Sequence, residues 1–317
     1  MTGLLVQTTA ATDQAAIPSR RRTGGGLWTA IRRSPKAMVG LVIFLIFCVI
    51  AIRPQLFTSV KDPTALDFMP GLGPSGDHWL GTTRLGQDIY AQLIYGTRES
   101  LLIAVIAGFF ATVLSVLIGV SAAYLGGFAD EVLLFFTNVF LVVPTFPLII
   151  ILSKYAGGGS FFVILLVLVA TGWSYGANQL RAQALSLRNR DFLESARVRG
   201  ERSLYIIVFE LLPTMTSLIV ANFLGAALYS VLAAAGLQFL GLGDQTKVSW
   251  GTMLYWAQSQ GALQNGSPLW SIAPGLCVAL LGTSFALLNY AFDEISNPAL
   301  RPVRKLKVRS NGARAHS

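Results

Sequence analysis

The chain has 317 residues, 53% of them hydrophobic and only 12% charged, with a mean hydropathy of +0.60. Ordinary soluble domains carry about a quarter of their residues as charges, so this composition excludes one and places the chain in a bilayer. The formal charge of +9 gathers in three blocks outside the apolar segments, which is the pattern of a topology signal and not of a nucleic-acid surface.

Residues 1–36 form a basic tail with Arg20, Arg21, Arg22, Arg32, Arg33 and Lys36 and no hydrophobic period. The basic cluster precedes a long apolar run without a small-residue cleavage site, so the expectation is an uncleaved first span with anionic lipid near its basic end. Crossing a hydrocarbon core takes about 20 apolar residues, and six segments meet or approach that length: 37–52, 101–125, 132–153, 161–177, 212–240 and 271–292. The expected fold class is therefore all-α, a polytopic membrane protein with six transmembrane helices.

Residues 37–100 hold the first span and the longest extramembrane segment. Its stretch 61–77 is loop, rich in Pro, Gly and Asp, and 88–100 reads as a surface-lying helix leading into the second span. A docking surface or lid for an outside partner fits here, as does a simple cover for the helix ends. In the second span, Gly108, Ala111, Ser115 and Gly119 recur at a spacing that admits another helix closely. The third carries Pro144 and Pro147, which together must bend or break it, a feature tolerated at membrane depth where the break is buried or lines a cavity. Pro213 opens the fifth span and Pro274 sits in the first turn of the sixth, both where a missing donor costs little.

Between spans four and five lies a charged loop, 188–211. It reads as two short helices hinged at Gly200, with Asp191 capping the first and Glu194 in its favourable first turn. Ser195, Ala196 and Gly200 form a stripe of small side chains, allowing close approach of a partner or a neighbouring turn, and Gly200 suits a helix-ending position with positive φ. On residues alone the loop reads either as a docking element or as an amphipathic connector. The region from Arg181 to Arg202 that includes this loop, the N-terminal tail and the tail 299–317 each carry six basic residues, 18 of the 24 in the chain. With an even number of spans the three regions share one side, which the positive-inside rule makes the cytoplasm. Both termini are therefore expected there.

The chemistry absent from the chain narrows its function. None of the six lysines follows a glycine, so no phosphate-cradling G-x-x-x-x-G-K-[ST] loop exists; the chain is expected to be no enzyme and to hold no cofactor, with its energy supplied by another subunit. His78 and His316 are remote from one another, and Cys48 and Cys277 lie in apolar company as packing residues, so no metal site is expected.

Arg190-Asp191-Phe192-Leu193-Glu194-Ser195-Ala196-Arg197 with Gly200 and Leu211-Leu212-Pro213 resembles the "EAA" loop of ABC-importer inner-membrane permeases of the dipeptide/oligopeptide/nickel class. His78-Trp79-Leu80-Gly81-Thr82-Thr83-Arg84-Leu85-Gly86-Gln87-Asp88 with Leu93 to Leu101, and Gly236 to Gly243 with Ser249-Trp250-Gly251-Thr252-Met253-Leu254, are similar to two further segments of that class. The sequence departs from it at Ser195, where alanine is usual, and at Gln87, where arginine is usual, which puts any ionic role there in question. The resemblance implies a type I importer permease with a five-helix core at 101–298, whose loop 188–211 seats a coupling helix in a groove of an ATPase. It also implies a bacterial-type inner-membrane location, a second homologous permease subunit, two ATPase subunits holding ATP and Mg, and an extracellular solute-binding protein. The stretches 250–260 and 293–298 look like a subgroup that serves oligosaccharides, so the expected solutes are peptides or oligosaccharides.

The rival class is a secondary transporter or channel with no ATPase partner. Such proteins usually place ionisable residues inside their spans, whereas here all 15 acidic residues fall in expected loops or at span ends. A purely structural scaffold would leave the broken third span and the hinged loop without a purpose. Asn138, Asn178, Asn222 and Asn289 are candidates for polar lining or for interhelical hydrogen bonds.

Overall fold

The computed structural model describes residues 34–157 and 159–296, with side chains through 292. The expectations for the two tails fall outside these residues. Among the described residues the chain is all helix and loop, with two isolated β-bridges in place of any sheet. Helices are α1 Pro35–Ile52, α2 Ile89–Leu125, α3 Gly127–Val142, α4 Thr145–Tyr155, α5 Phe161–Gly172, α6 Ser174–Leu187 and α7 Asp191–Val198. They continue with α8 Ser203–Thr214, α9 Thr216–Phe239, α10 Trp250–Ser259 and α11 Leu269–Ser296.

Five helices are long and apolar enough to cross a membrane, α5 and α6 counting as one run, Phe161–Leu187. The sixth crossing expected from the sequence exists only as a bent pair: α3 and α4 meet at 96°. Val143 is extended and Pro144 takes the N-cap of α4. Pro147 falls in the first turn of α4, where no intrahelical donor is required. Two prolines therefore produce one break.

α2 is the central mast. Small residues along it bring neighbouring backbones to contact: a Cβ on Gly108 would lie 2.8 Å from the Ala227 amide nitrogen of α9, and one on Gly119 would collide with the Ala177 carbonyl of α6. The Ser115 hydroxyl, between them, lies 2.6 Å from the Trp173 carbonyl at the junction of α5 and α6. In a bilayer, where apolar burial drives helix association weakly, such close backbone approach lets dispersion contacts hold the bundle. α11 packs on α9 and α1, and Ser284 donates to the Gly40 carbonyl at 2.8 Å.

The expected surface helix at 88–100 is not separate. Residues from Ile89 onward are the first turns of α2, one continuous helix of 37 residues. The reason is burial: Ile89 and Ala91 are fully covered. A Cβ on Gly96 would meet the Ser249 backbone at 3.3 Å, and the Ser100 hydroxyl accepts from the Trp250 amide. The Trp250 indole donates to the Leu93 carbonyl. Two motifs about 150 residues apart thus interlock, and a helix pinned on its flank cannot lie along a membrane surface.

The segment before α2 is irregular but tied down. Asp88 caps α2 through a 2.7 Å bond from the Ala91 amide, and its other oxygen lies 2.7 Å from His78 Nδ1. His78 is thus bonded to Asp88, a pairing the sequence reading did not foresee. Gln87 donates to the Thr64 carbonyl and accepts from Gln92, so the position where the resemblance expects arginine carries an uncharged latch. In the loop before α10, a hydrogen bond from the Thr246 hydroxyl, then one from its amide, hold the Asp244 carboxyl below the usual carboxylate range. Other boundaries also shift: α5–α6 runs on to Leu187, span five begins at Thr216, and Pro274 is inside α11, past the first turn assigned to it.

Candidate coupling surface and transmembrane cavity

The basic end of the bundle is where α1 starts, α2 and α6 end, and α7 and α8 lie. α7 is short, and its charges suit the helix dipole: Asp191 and Glu194 in the first turn, Arg197 in the last. Arg190 occupies the N-cap and no side chain caps the helix, so the expected capping by Asp191 does not occur. Asp191 already has helical geometry, and a side chain in the first turn acts through the dipole and not as the cap. Leu193 and Ala196, three residues apart and so on one face, are both 0% exposed. They pack with Val120 and Ala123 of α2, Leu180 and Ala184 of α6, and Ile206 and Leu211 of α8.

The other face of α7 is open. Asp191, Glu194, Ser195, Arg197 and Val198 are exposed, and Glu194 forms no ion pair among the described residues. Ser195 turns its hydroxyl back to the Asp191 carbonyl at 2.7 Å. Ser195, Ala196 and Gly200 do not share the expected stripe, because Ala196 faces the bundle while Ser195 faces away. Gly200 ends the helix with φ +77°. Its amide donates to the Arg197 carbonyl and the Glu201 amide to the Ala196 carbonyl, the paired bonds of a Schellman ending. No atom would meet a Cβ on Gly200, so the glycine is required by conformation and not by crowding.

Most loop cations already have work inside the chain. Arg181 makes a double hydrogen bond to Asp130 at 2.6 and 2.7 Å, tying α6 to α3. Arg188 reaches the Ala123 carbonyl, and Arg197 lies over the Tyr124 ring. Arg199 pairs with Glu201 and Glu210. Arg190 is exposed and unpaired among the described residues. Pro213 lies near the end of α8 and not at the start of a span. Residues Ile206–Leu211 just before it are a π-helical turn, which widens the backbone where the proline ring would press on the Phe209 carbonyl.

A second feature lies within the bundle, a cavity of about 340 Å³. Phe140, Leu141 and Thr145 reach it from the α3–α4 break; Thr171, Ser174 and Gln179 from α5 and α6; Asn222 and Tyr229 from α9; Asn289 from α11. The Tyr229 and Thr171 hydroxyls are 3.1 Å apart. Among the described residues no Asp, Glu, Lys, Arg or His lines the cavity. Two of the four asparagines singled out in the sequence, Asn222 and Asn289, are on its wall, whereas Asn138 and Asn178 are exposed and off it. Tyr229, Thr171 and Gln179 were not anticipated; the nearest signal was Gly172, Gly176 and Gly225, which leave the space these side chains border.

Residues 115–295 match the family described as binding-protein-dependent transport system inner membrane component. The chain belongs to that family. The permease is similar to the oligopeptide transport system permease protein OppC of Mycobacterium tuberculosis, 32% identical over 276 residues, covering 86% of this chain and 93% of that protein. It also resembles the dipeptide transport system permease protein DppC of Bacillus subtilis, 28% identical over 275 residues, with 86% and 85% covered. A third relative is the glutathione transport system permease protein GsiD of Pectobacterium atrosepticum, 29% identical over 276 residues, with 86% and 90% covered. The family and its apolar helices make the permease a multi-pass inner-membrane protein with the type I importer architecture.

Proposed function

We propose that this chain is one of two permease subunits in an ATP-driven importer of peptides, coupled to its ATPases through α7. The observation that carries the reading is the two-faced docking of α7. Leu193 and Ala196 fasten it to α2, α6 and α8, while Glu194 and Ser195 are exposed and Glu194 has no ion pair among the described residues. A helix so held moves with the bundle, and a push on its outer face is transmitted as a rigid-body tilt. Two ATPase subunits hold the ATP and Mg, and their closure displaces α7; a second homologous permease completes the path, and an extracellular solute-binding protein delivers the solute. The chain itself hydrolyses nothing. Peptide is preferred to oligosaccharide because the relatives above are named for oligopeptide, dipeptide and glutathione transport.

Orientation follows the charge, with both tails, α7 and α8 in the cytoplasm. A secondary transporter usually carries Asp, Glu, His, Lys or Arg on its path, and among the described residues the cavity wall has none of these. Glu99 lies inside α2, deeper than the sequence suggested, but away from that wall.

The test is assembly and transport of two loop variants. Glu194→Ala removes the exposed carboxylate, whose charge-assisted hydrogen bond to a partner would be worth about 1.5–3 kcal/mol. Gly200→Val forces a β-branched residue into positive φ. Both should lower co-purification with the ATPases or abolish uptake in vesicles while the bundle still inserts. Wild-type assembly and uptake in both variants would leave α7 an ordinary connector.

A further inference from the structure

Two exposed side chains on the cavity wall are tied to one another and keep hydrogen-bonding capacity to spare. Tyr175 and Gln179 stand four residues apart on α6, hence on one face, and both line the cavity. Tyr175 is 66% exposed and Gln179 is exposed as well. The Gln179 amide nitrogen donates to the Tyr175 hydroxyl oxygen at 3.1 Å. That bond uses the nitrogen of the glutamine and a lone pair of the tyrosine. The Tyr175 hydroxyl proton and the Gln179 amide oxygen have no partner among the described residues. The bond also fixes the two side chains relative to one another before a ligand arrives, which lowers the entropy lost on binding.

We propose that Tyr175 and Gln179 are solute-contact residues that together read the backbone of an extended peptide as it crosses the cavity. This inference rests on the permease reading and names what the path recognises. The pair offers one donor, the tyrosine O–H, and one acceptor, the glutamine carbonyl. In an extended chain the N–H and C=O of one residue point to the same side, as they do when strands exchange paired bonds, so one solute residue can meet both groups. The volume of about 340 Å³ is within the range of small-molecule sites. Among the described residues the wall has hydroxyls and amides but no charged group, so a Lys or Glu side chain of the solute finds no ion-pair partner to hold it. Backbone contacts are common to all peptides, and neutral hydrogen bonds release easily. The pair thus competes with the binding protein for the solute backbone without retaining the solute.

The test uses the full importer, with both permeases, the ATPases and the solute-binding protein, reconstituted in vesicles and supplied with trialanine. Tyr175→Phe keeps the ring and removes the donor; Gln179→Leu removes the acceptor. Each should lower the saturating uptake rate about fivefold, the effect of losing one neutral hydrogen bond, with ATPase co-purification unchanged. In a background with Cys48→Ala and Cys277→Ala, Gln179→Cys should react with a small methanethiosulfonate reagent, and more slowly while trialanine is being transported. Wild-type uptake in both Tyr175→Phe and Gln179→Leu overturns the subsite and leaves the permease reading standing. A cysteine at 179 that is unreactive in the assembled importer would place the pair beneath another subunit or lipid, and this too overturns it. If either substitution costs the permease its ATPases, the cysteine decides: reactivity identical with and without trialanine overturns the proposal. Wild-type vesicles that take up no trialanine would count against the peptide-permease reading, and the subsite with it.

Discussion

At the scale of single residues, the loop after α6 works through a division of labour between adjacent positions. Leu193 is fully buried while Glu194 beside it is exposed, so one residue anchors and the next is offered outward. Replacing Leu193 with alanine opens a void among α2, α6 and α8, and such truncations in well-packed sites cost about 2–5 kcal/mol. The predicted outcome for Leu193→Ala is faster amide exchange across 191–198 and lower uptake, with ATPase docking less affected than in Glu194→Ala. Exchange and co-purification measured on the same preparations check it: unchanged protection in 191–198 would mean that Leu193 does not anchor the helix. Gly200 is the contrasting case. Its positive φ was legible in the sequence because only backbone conformation decides it. The inward turn of Ala196 was not, because which face of a short helix is buried depends on what packs against it.

At the scale of elements, apolar length gave the spans, and local composition could not give their ends. The first turns of α2 hold Gln92, Arg98 and Glu99, polar enough to suggest a surface helix. Their burial comes from Ser249 and Trp250, about 150 residues away, a contact invisible to any local window. The α3–α4 break was legible because proline acts through its own ring and missing donor. Its 96° angle was not, since neighbours set the direction of a break. The two prolines make a specific forecast. In Pro144→Leu, Pro147 would still clash with the Val143 carbonyl if the helices fused, so the bend and the transport should persist. Pro144→Leu with Pro147→Leu removes both obstacles, each costing about 3 kcal/mol in a continuous helix, and lets α3 run on. Thr145 then leaves the cavity wall, and uptake should fall while subunit assembly persists. Equal transport in the single and double variants would show that the bend is held by its neighbours and not by proline.

For the whole molecule, the features of the two ends fit opposite partners. One end carries Lys36 over Tyr290, the Arg181–Asp130 pair and the outward face of α7; the other carries the latched segment 53–88 and α10, joined by Trp250. Between them no charged side chain lines the cavity among the described residues, and the proposed coupling would run through the helices. α2 is the element that spans the distance, since its first turns touch α10 and its last turn meets α7 where Arg197 lies over the Tyr124 ring. Under the proposed function, a tilt of α7 would be connected to the far end by one continuous helix. Such a route works only if the basic end faces the ATPases, which makes topology the decisive global measurement. Ser75 and Ser203 are both exposed and lie at opposite ends. In a background with Cys48→Ala and Cys277→Ala, an impermeant thiol reagent added to intact cells should label Ser75→Cys and leave Ser203→Cys unmodified until the membrane is opened. Labelling of Ser203→Cys alone would invert the molecule, put α7 out of reach of any ATP-consuming partner, and remove the basis for its coupling role.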